Sequence, residues 1–574
     1  MRYAISKRAL LILLGSITWS LTMVKSGLVY PFGMGFWGPN GHDGIWHIAL
    51  VNHLSKGFFA MPIFAGEPIR NYHIGFDLTV ALLNRMTTIP AQILYFQILP
   101  PLLSIATGVI TYKVVVAWKN SRTAALWSTF FVYFGGNFGW ILTLIRSHEL
   151  GGESMFWSQQ AISTLLNPPF AASVVLTLSG LFFLIQYDRR RKTRDLIWMI
   201  LFFGILVQVK IYAGVLVLSA LFIVSMARLF VRRDTAILKA FVLVAILSVA
   251  LFLPLNRGSS GLLVFQPFWF LETMMALSDR LDWHKFYEAM TTYRMGEIWV
   301  KAILAYSVAF AIFLVGNLGT RVLGIFEALR ILKQSLFSQT QIKRKELDIV
   351  GVFLLSVGTL GILLPMLFLQ KGTPWNTIQF FYYSLLVFGI FAGVHTDELL
   401  RKLKPSKKTV AAILVILFTV PSTLATFKHY LPSRPPGKIS NEELSALAFL
   451  KQQEDGIVLT YPYDAEAAKA AESFPPRPLY LYESTAYVSA FSGKPVYLED
   501  EVNLNIMDYQ WRERRKEVEG FLETLEQNTA RAFLQENTIR YVYWVEKQRA
   551  RLGEGQLGLT QIFENKTVKI YRVD

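Results

Sequence analysis

The chain has 574 residues, 53% of them hydrophobic and 17% charged, with a mean hydropathy of +0.38. This excludes an ordinary soluble domain, in which roughly 45–50% apolar residues come without repeated uncharged runs. The 57 basic residues against 40 acidic ones leave a net charge of +17; beside many apolar runs that excess marks cytoplasmic loops rather than a nucleic-acid surface. There is no cysteine, so disulfides and thiolate metal sites are excluded.

Arg2, Lys7 and Arg8 precede an apolar run as in a signal peptide, but no small-x-small cleavage site follows. Residues 9–24 therefore read as a retained first span whose basic end lies inside. A polar and aromatic loop fills 26–90. Spans follow at 91–117 and 123–145, separated by Lys119 and Arg122, and a loop rich in Gly, Glu and Pro occupies 147–168. The span 169–187 ends at Asp188-Arg189-Arg190-Arg191-Lys192-Thr193-Arg194, the strongest cytoplasmic signal in the chain. Residues 195–230 are too long for one span and break at Lys210, giving two short helices that end at Arg228, Arg232 and Arg233.

A span at 235–254 leads to an outer loop at 255–297, and a span at 298–317 leads to a basic inner stretch from Arg321 to Lys345. Spans 347–370 and 377–396 flank residues 371–376. Residues 401–408 are basic and inside, and a last span, 409–426, leads out. The total is about eleven spans, which puts the N-terminus in the cytoplasm and the C-terminal residues outside. Residues 71–86 are apolar enough to tempt a span, but a span there would put the polyarginine loop outside. They are expected on, or dipping into, the outer surface.

The expected fold is an α-helical polytopic membrane protein with a C-terminal soluble α/β domain. A transmembrane module covers 1–430 and an extracytoplasmic domain 431–574, joined through a linker at 432–436. In the domain, 442–453 reads as an amphipathic helix capped by Ser440 or Asn441. Short β-rich runs are read at 456–461, 494–498 and 540–545, and helices at 512–526 and 530–537. Residues 562–573, broken at Asn565-Lys566, form a terminal strand pair. The domain contains no glycine-rich phosphate loop and no nucleophile elbow, so binding or covering a site suits it better than catalysis.

Chemistry concentrates in the first outer loop, at Gly41-His42-Asp43-Gly44-Ile45-Trp46-His47. Asp43 and His47 stand one helical turn apart and can point at one site. The bland reading is that Asp43 caps a helix and the histidines are interfacial. The loop continues Gly66-Glu67-Pro68-Ile69-Arg70-Asn71-Tyr72-His73-Ile74-Gly75-Phe76-Asp77. Further on, Lys210 interrupts an apolar run, where a charge is costly unless it is paired or functional. Lys371 stands at an outer helix end, where snorkelling is the cheap alternative. Gly135-Gly136-Asn137-Phe138-Gly139-Trp140 permits close helix packing.

These features together resemble the GT-C superfamily of polytopic glycosyltransferases that use polyprenyl-phosphate sugars. The shared layout is a carboxylate just after the first span, two helices along the outer face, many spans and a soluble C-terminal domain outside. Asp43 and His47, the 67–73 segment, and Lys371-Gly372-Thr373-Pro374-Trp375-Asn376-Thr377-Ile378-Gln379 running on to Phe380, Phe381, Tyr382 and Tyr383 are similar to uncharacterised bacterial membrane proteins of that type.

The resemblance implies an inverting transfer of sugar from a polyprenyl-phosphate donor to an extracytoplasmic glycan, lipid or protein, in the cell envelope. Asp43 would be the catalytic carboxylate, with His47 and His73 beside it, and His42 and Asp77 would bind sugar hydroxyls. The superfamily's commoner acidic pair is missing, because His42 and Gly44 flank Asp43; Glu149 and Glu153 are candidates for the second carboxylate. Lys210, Lys371, Arg70 and Arg294 are candidates for the donor's phosphate, and Trp375 and Gln379 complete the substrate-binding set. No cofactor and no metal ligand are assigned. A divalent metal held by His42, Asp43, His47 and His73 is the rival chemistry. Nucleic acid is not an expected partner, whereas membrane lipid is. Two rival functions are a transporter or flippase of lipid-linked saccharide and a non-catalytic assembly protein. The first predicts inverted repeats and deep charges, of which Lys210 is the one evident in the sequence.

Overall fold

The computed structural model describes residues 6–256, 258, 262–337 and 347–574. Arg2 and the 338–345 part of the expected basic inner stretch lie outside the described residues. Among the described residues, seven helices are long and apolar enough to cross a membrane: Ala91–Lys119, Pro168–Arg190, Ile211–Arg232, Trp299–Ser335, Ile349–Leu367, Pro374–Lys402 and Pro405–Tyr430. The bent pair Arg122–Phe134 and Gly139–Ser147, at 47°, makes up to eight. The expected count was about eleven. The difference lies in three helices, Lys7–Ser20, Thr193–Gly204 and Ala236–Phe252, with 14, 12 and 17 residues. At 1.5 Å per residue these fall short of a ~30 Å hydrocarbon core.

The chain divides into two compact units. The first comprises Met1–Leu21, Pro100–Pro254 and Ser259–His429. Its helices start where the sequence supplies caps. Ser121 accepts the Ala124 N–H at 3.1 Å, Asn167 accepts that of Phe170 at 3.0 Å ahead of Pro168 and Pro169, and Asp348 accepts that of Gly351 at 2.8 Å. The glycine run does more than allow close packing, because it is where the bent pair breaks. Asn137 donates to the Gly152 carbonyl at 2.8 Å and accepts the Gly139 N–H at 3.0 Å. Carboxylates tie down the basic helix ends: Arg191 pairs with Asp234 at 2.6 Å, Arg228 with Asp188, and Lys119 with the buried Glu327 at 2.7 Å.

Arg321, expected in an inner loop, is instead buried within the long Trp299–Ser335 helix. Its guanidinium donates to the carbonyls of Asn317 at 2.8 Å and Leu318 at 3.1 Å, and to the Gln160 side chain. Lys210 is therefore not alone as a deep charge, since a buried arginine with all-neutral partners can sit at helix depth when carbonyls solvate it.

The second unit comprises Thr22–Leu99, Leu255–Gly258 and Tyr430–Asp574. Strands β1 (Leu28–Tyr30) and β2 (Gly33–Phe36) form a hairpin in the first loop. With β3 (Gly437–Ile439) and β4 (Arg477–Pro478) they make one four-stranded sheet, ordered β1-β2-β3-β4. The first loop and the C-terminal residues are thus hydrogen-bonded into one sheet. Farther on, Ala65 donates to Val496, and Val496 to Pro62, at 2.9 and 2.8 Å. A second sheet combines β5 (Ile457–Thr460), β6 (Ile539–Val545), β7 (Leu559–Glu564) and β8 (Val568–Val573) in the order β5-β6-β8-β7, with only β5 and β6 parallel.

The expected helices appear as Asn441–Gln452, Trp511–Glu523 and Gln527–Glu536, the first under a Ser440–Glu443 capping box. The run at 494–498 is no full strand; its Val496 makes a single bridge to Val458. Residues 71–86 contain a 13-residue helix, Gly75–Thr87, which buries Phe76, Asp77, Val80 and Ala81 and exposes Leu78, Leu82 and Met86 along the opposite stripe.

Candidate functional site

Two helices of the second unit carry the first-loop candidates: α1 (Asp43–Ser55) and α2 (Gly75–Thr87). A 3-10 turn, Gly38–Gly41, aims α1, and Asn40 fixes that turn by donating to the Thr22 carbonyl and the Ser26 hydroxyl, both at 2.9 Å. Every residue from Gly44 to Val51 is buried, so α1 is enclosed on all sides, as an all-round apolar helix must be. Asp43, its first residue, is exposed. A carboxylate there sits at the positive end of the helix dipole and stays accessible to a ligand.

One turn on, His47 is buried. Its Nδ1 is 2.7 Å from Oδ1 of Asp77, and both side chains are buried. The ring lies over Tyr95 at 5.5 Å and meets Phe76 edge-on at 6.3 Å. His73 stacks on Tyr72 at 4.7 Å. Tyr72 feels the charges of Asp77, Asp43 and Asp500, although burial is the main reason its hydroxyl is pushed well above the usual range. His47 and Asp77 thus form a buried pair one turn along the helix from Asp43.

His42 immediately precedes the helix. Its Nδ1 is hydrogen-bonded to the Ser484 hydroxyl, and its ring meets Tyr482 edge-on at 4.7 Å. Burial lowers its pKa; the Asp43 carboxylate opposes that and Arg477 adds to it. Neutral imidazole therefore prevails at neutral pH.

Asp500 is a neighbour that sequence reasoning missed. It is buried, and its Oδ1 accepts the Asn503 N–H at 3.0 Å and so caps a short helix. Burial, with the Asp43 and Glu483 charges adding to it, raises its pKa to about 7 against the Asn503 hydrogen bonds. Beside it Glu499 accepts the N–H groups of Val488 and Ser489 at 2.9 and 3.1 Å, and burial raises it to about 8. The acidic run Glu499-Asp500-Glu501 was visible in the sequence, but nothing local to it pointed to residue 43.

Arg70 lies in the same unit in a packing role. Its guanidinium stacks over Tyr509 at 4.5 Å, and its backbone N–H donates to the Tyr509 hydroxyl at 3.1 Å. Among the described residues no three His, Asp or Glu side chains stand together as a metal would need, and the Nδ1 atoms of His42 and His47 are occupied by Ser484 and Asp77.

The remaining candidates belong to the first unit. Lys210 occupies an extended residue between helices Leu206–Val209 and Ile211–Arg232 and is buried. Its Nζ donates to Oδ1 of Asn167 at 3.3 Å, the atom that also caps Pro168–Arg190. Nearby, Gln370 accepts from Tyr212 at 3.0 Å and from Asn376 at 3.2 Å, and Asn376 in turn accepts from Gln379 at 2.5 Å. Lys210 lies 5.6 Å from the centre of the Tyr212 ring, whose hydroxyl belongs to this chain of hydrogen bonds. Lys371 and Trp375 are exposed beside it in the chain, and the Lys371 N–H donates to Leu262 at 2.8 Å. Glu153, half-buried, accepts from the Gln160 N–H at 3.3 Å and from the Ser163 hydroxyl. Glu149 pairs with Lys428 at the surface at 2.8 Å, and Arg294 pairs with Glu272.

No protein-family model matches the sequence, and no curated protein matches it. The fold is similar to that of two solved glycosyltransferases, the GT-C-like fold that the sequence led us to expect. Two solved proteins carry the likeness. One is the oligosaccharyltransferase AglB from Archaeoglobus fulgidus, solved with a tethered acceptor peptide: TM-score 0.52, 10% identity, covering 94% of this chain and 69% of that one. The same enzyme in complex with an inhibitory peptide and a dolichol-phosphate gives TM-score 0.50, 10% identity and coverages of 93% and 69%. The other is a mutant of arabinofuranosyltransferase AftD from Mycobacteria, with TM-score 0.50 and 13% identity, covering 99% of this chain and 42% of that one. At such identities the likeness is one of fold.

Proposed function

We propose that this protein is a membrane glycosyltransferase that moves a sugar from a polyprenyl-phosphate donor to an acceptor hydroxyl on the extracytoplasmic side, with Asp43 as the carboxylate that takes the acceptor's proton. The observation that carries the reading is Asp43 itself, an accessible carboxylate heading an otherwise buried helix on a fold shared with two glycosyltransferases. The dolichol-phosphate in the AglB complex supports a lipid phosphate as the donor's leaving group.

In the proposed step the acceptor oxygen attacks the anomeric carbon from the face opposite the phosphate. The carbon–oxygen bond to phosphate breaks, the electron pair leaves on the lipid phosphate, and the hydroxyl proton passes to Asp43. A single displacement inverts the anomeric centre. The His47–Asp77 pair and Tyr72 act as positioning residues beneath the helix head, while His42, neutral and tied to Ser484, orients a hydroxyl. His73, stacked on Tyr72, extends that wall. In the membrane unit Lys210 is assigned to the donor's phosphate, with Lys371, Trp375 and Gln379 as further substrate contacts. The loop charges put the N-terminus in the cytoplasm and the C-terminal residues outside.

The test is reconstitution in proteoliposomes with radiolabelled polyprenyl-phosphate sugars. Release of polyprenyl phosphate matched by new glycoside is expected. Sugar lipid that crosses the bilayer chemically intact would contradict the reading and favour a flippase.

A further inference from the structure

A groove of about 360 Å³ runs along the membrane unit between helices Lys7–Ser20 and Leu99–Lys119. Its walls follow from helical spacing. Ile105, Val109 and Lys113 stand four residues apart on one helix, and Arg8 and Ile12 do so on the other, with Leu13 beside them. Each wall is therefore one continuous stripe. The stripe from Ile105 to Lys113 is about 12 Å long. It is apolar except at one end, where the two cations stand.

That end is built for an anion. The Arg8 guanidinium lies 5.4 Å from the centre of the Tyr112 ring, which brings it to the turn that carries Lys113. Arg8 is also in the first turn of its helix, where the dipole is positive. No carboxylate lines the groove. Lys119, about 9 Å farther along the helix axis, is paired with Glu327 and Asp348. Lys113 and Arg8 have no such ion pair among the described residues.

The same geometry says what fills the groove. Leu13, Ile105 and Val109 are exposed, and a hydrocarbon chain laid along them covers them. The space holds the upper part of one acyl chain and leaves the second chain in the bilayer. A phosphodiester at the head of that chain meets two cations near a helix end, the usual chemistry of an anionic-lipid site between membrane helices. A zwitterionic head group brings its own ammonium against Arg8 and Lys113. Snorkelling carries each basic side chain to the interface singly, and by itself it calls for no cavity between them.

We propose that this groove binds an anionic glycerophospholipid, with one acyl chain between the two helices and the phosphate held by Arg8 and Lys113. The lipid fills the gap beside the short Lys7–Ser20 helix and ties that helix to its neighbour. The loop charges assign the site to the cytoplasmic leaflet. Binding itself depends neither on that orientation nor on the transferase reading.

The test places the full chain in phosphatidylcholine nanodiscs with a small share of phosphatidylglycerol or phosphatidylcholine that carries a diazirine on one acyl chain. Adducts are mapped by mass spectrometry after illumination. Phosphatidylglycerol should label the two groove helices roughly tenfold more than phosphatidylcholine does, and unlabelled phosphatidylglycerol should compete. A basic residue near the surface is worth about fivefold in attraction to an anionic lipid. Arg8→Gln and Lys113→Gln should each lower the labelling by about that factor, and the double variant should lose the preference, while Arg8→Lys keeps it. Val109→Trp, at an exposed position, fills the groove with both cations in place and should also abolish labelling there; matched melting temperatures control for folding. Equal labelling by the two lipids, labelling unchanged in the double variant, or displacement by polyprenyl phosphate but not by phosphatidylglycerol overturns the proposal.

Discussion

Replacing Asp77 with Ala should destabilise the second unit more than any change at the exposed Asp43. Asp77 and His47 are both buried, 2.7 Å apart, and the second Asp77 oxygen has no hydrogen-bond partner within the chain. Asp77→Ala leaves His47 Nδ1 unmatched in that environment and opens a cavity. An unsatisfied buried polar group costs about 1–3 kcal/mol, and a lost hydrogen bond to a carboxylate lies toward the upper end of that range. A total near 3 kcal/mol lowers the melting temperature of a unit of this size by roughly 6–12 °C. Asp77→Asn keeps an acceptor at the same place and should cost only about 1 kcal/mol. The assay is thermal unfolding of purified protein in detergent, followed by tryptophan fluorescence, with His47→Ala and the double variant completing a cycle. The double variant should lose less than the sum of the singles, because the two residues share one interaction. If Asp77→Ala melts with the wild type, or the two losses simply add, the pair does not hold the helix head.

Three other outcomes follow from the same structure. Glu499, raised from an ordinary 4.5 to about 8 by burial, stays protonated in the fold at pH values where the unfolded chain ionises. Its contribution is complete below pH 4.5 and is lost as pH rises through 8. Melting temperature should therefore fall over that window, and Glu499→Gln should flatten the slope; an unchanged slope would refute this. Arg321→Lys gives up hydrogen bonds to the Asn317 and Leu318 carbonyls and the Gln160 side chain, worth about 1.5–3 kcal/mol each at most, so it should melt clearly below wild type in the same assay. Lys210→Met should raise the donor KM at least tenfold while kcat moves little; a lowered melting temperature with unchanged KM would instead leave Lys210 as support for Asn167.

Much of the fold was legible because membrane spans are written in composition. The seven long helices coincide with apolar runs, and a cap at Ser440 or Asn441 and the terminal strand pair followed from local pattern. Helix length was harder to read than apolar character, as at Lys7–Ser20, whose helix is shorter than a span. Arg321 misled because a basic residue after an apolar run looks like a loop, whereas carbonyls of its own helix, at Asn317 and Leu318, and the Gln160 side chain let it be buried. In the candidate site, the one-turn spacing of Asp43 and His47 was readable, but their different burial was not: one is exposed and the other is locked to Asp77. Asp500, Ser484 and Tyr482 were not readable, since a sheet pairing Gly33–Phe36 with Gly437–Ile439 brings the two ends of the chain together and no local pattern announces it.

The central claim is that Asp43 does chemistry. Its most direct test compares wild type, Asp43→Asn and Asp43→Glu in proteoliposomes supplied with the polyprenyl-phosphate sugar that the wild type consumes, with matched melting temperatures as the control for folding. Loss of a general base removes about 10²–10⁴-fold of rate. Asp43→Asn should fall by that factor with donor KM nearly unchanged, and Asp43→Glu should recover part of it. Transfer by Asp43→Asn at the wild-type rate would contradict the account.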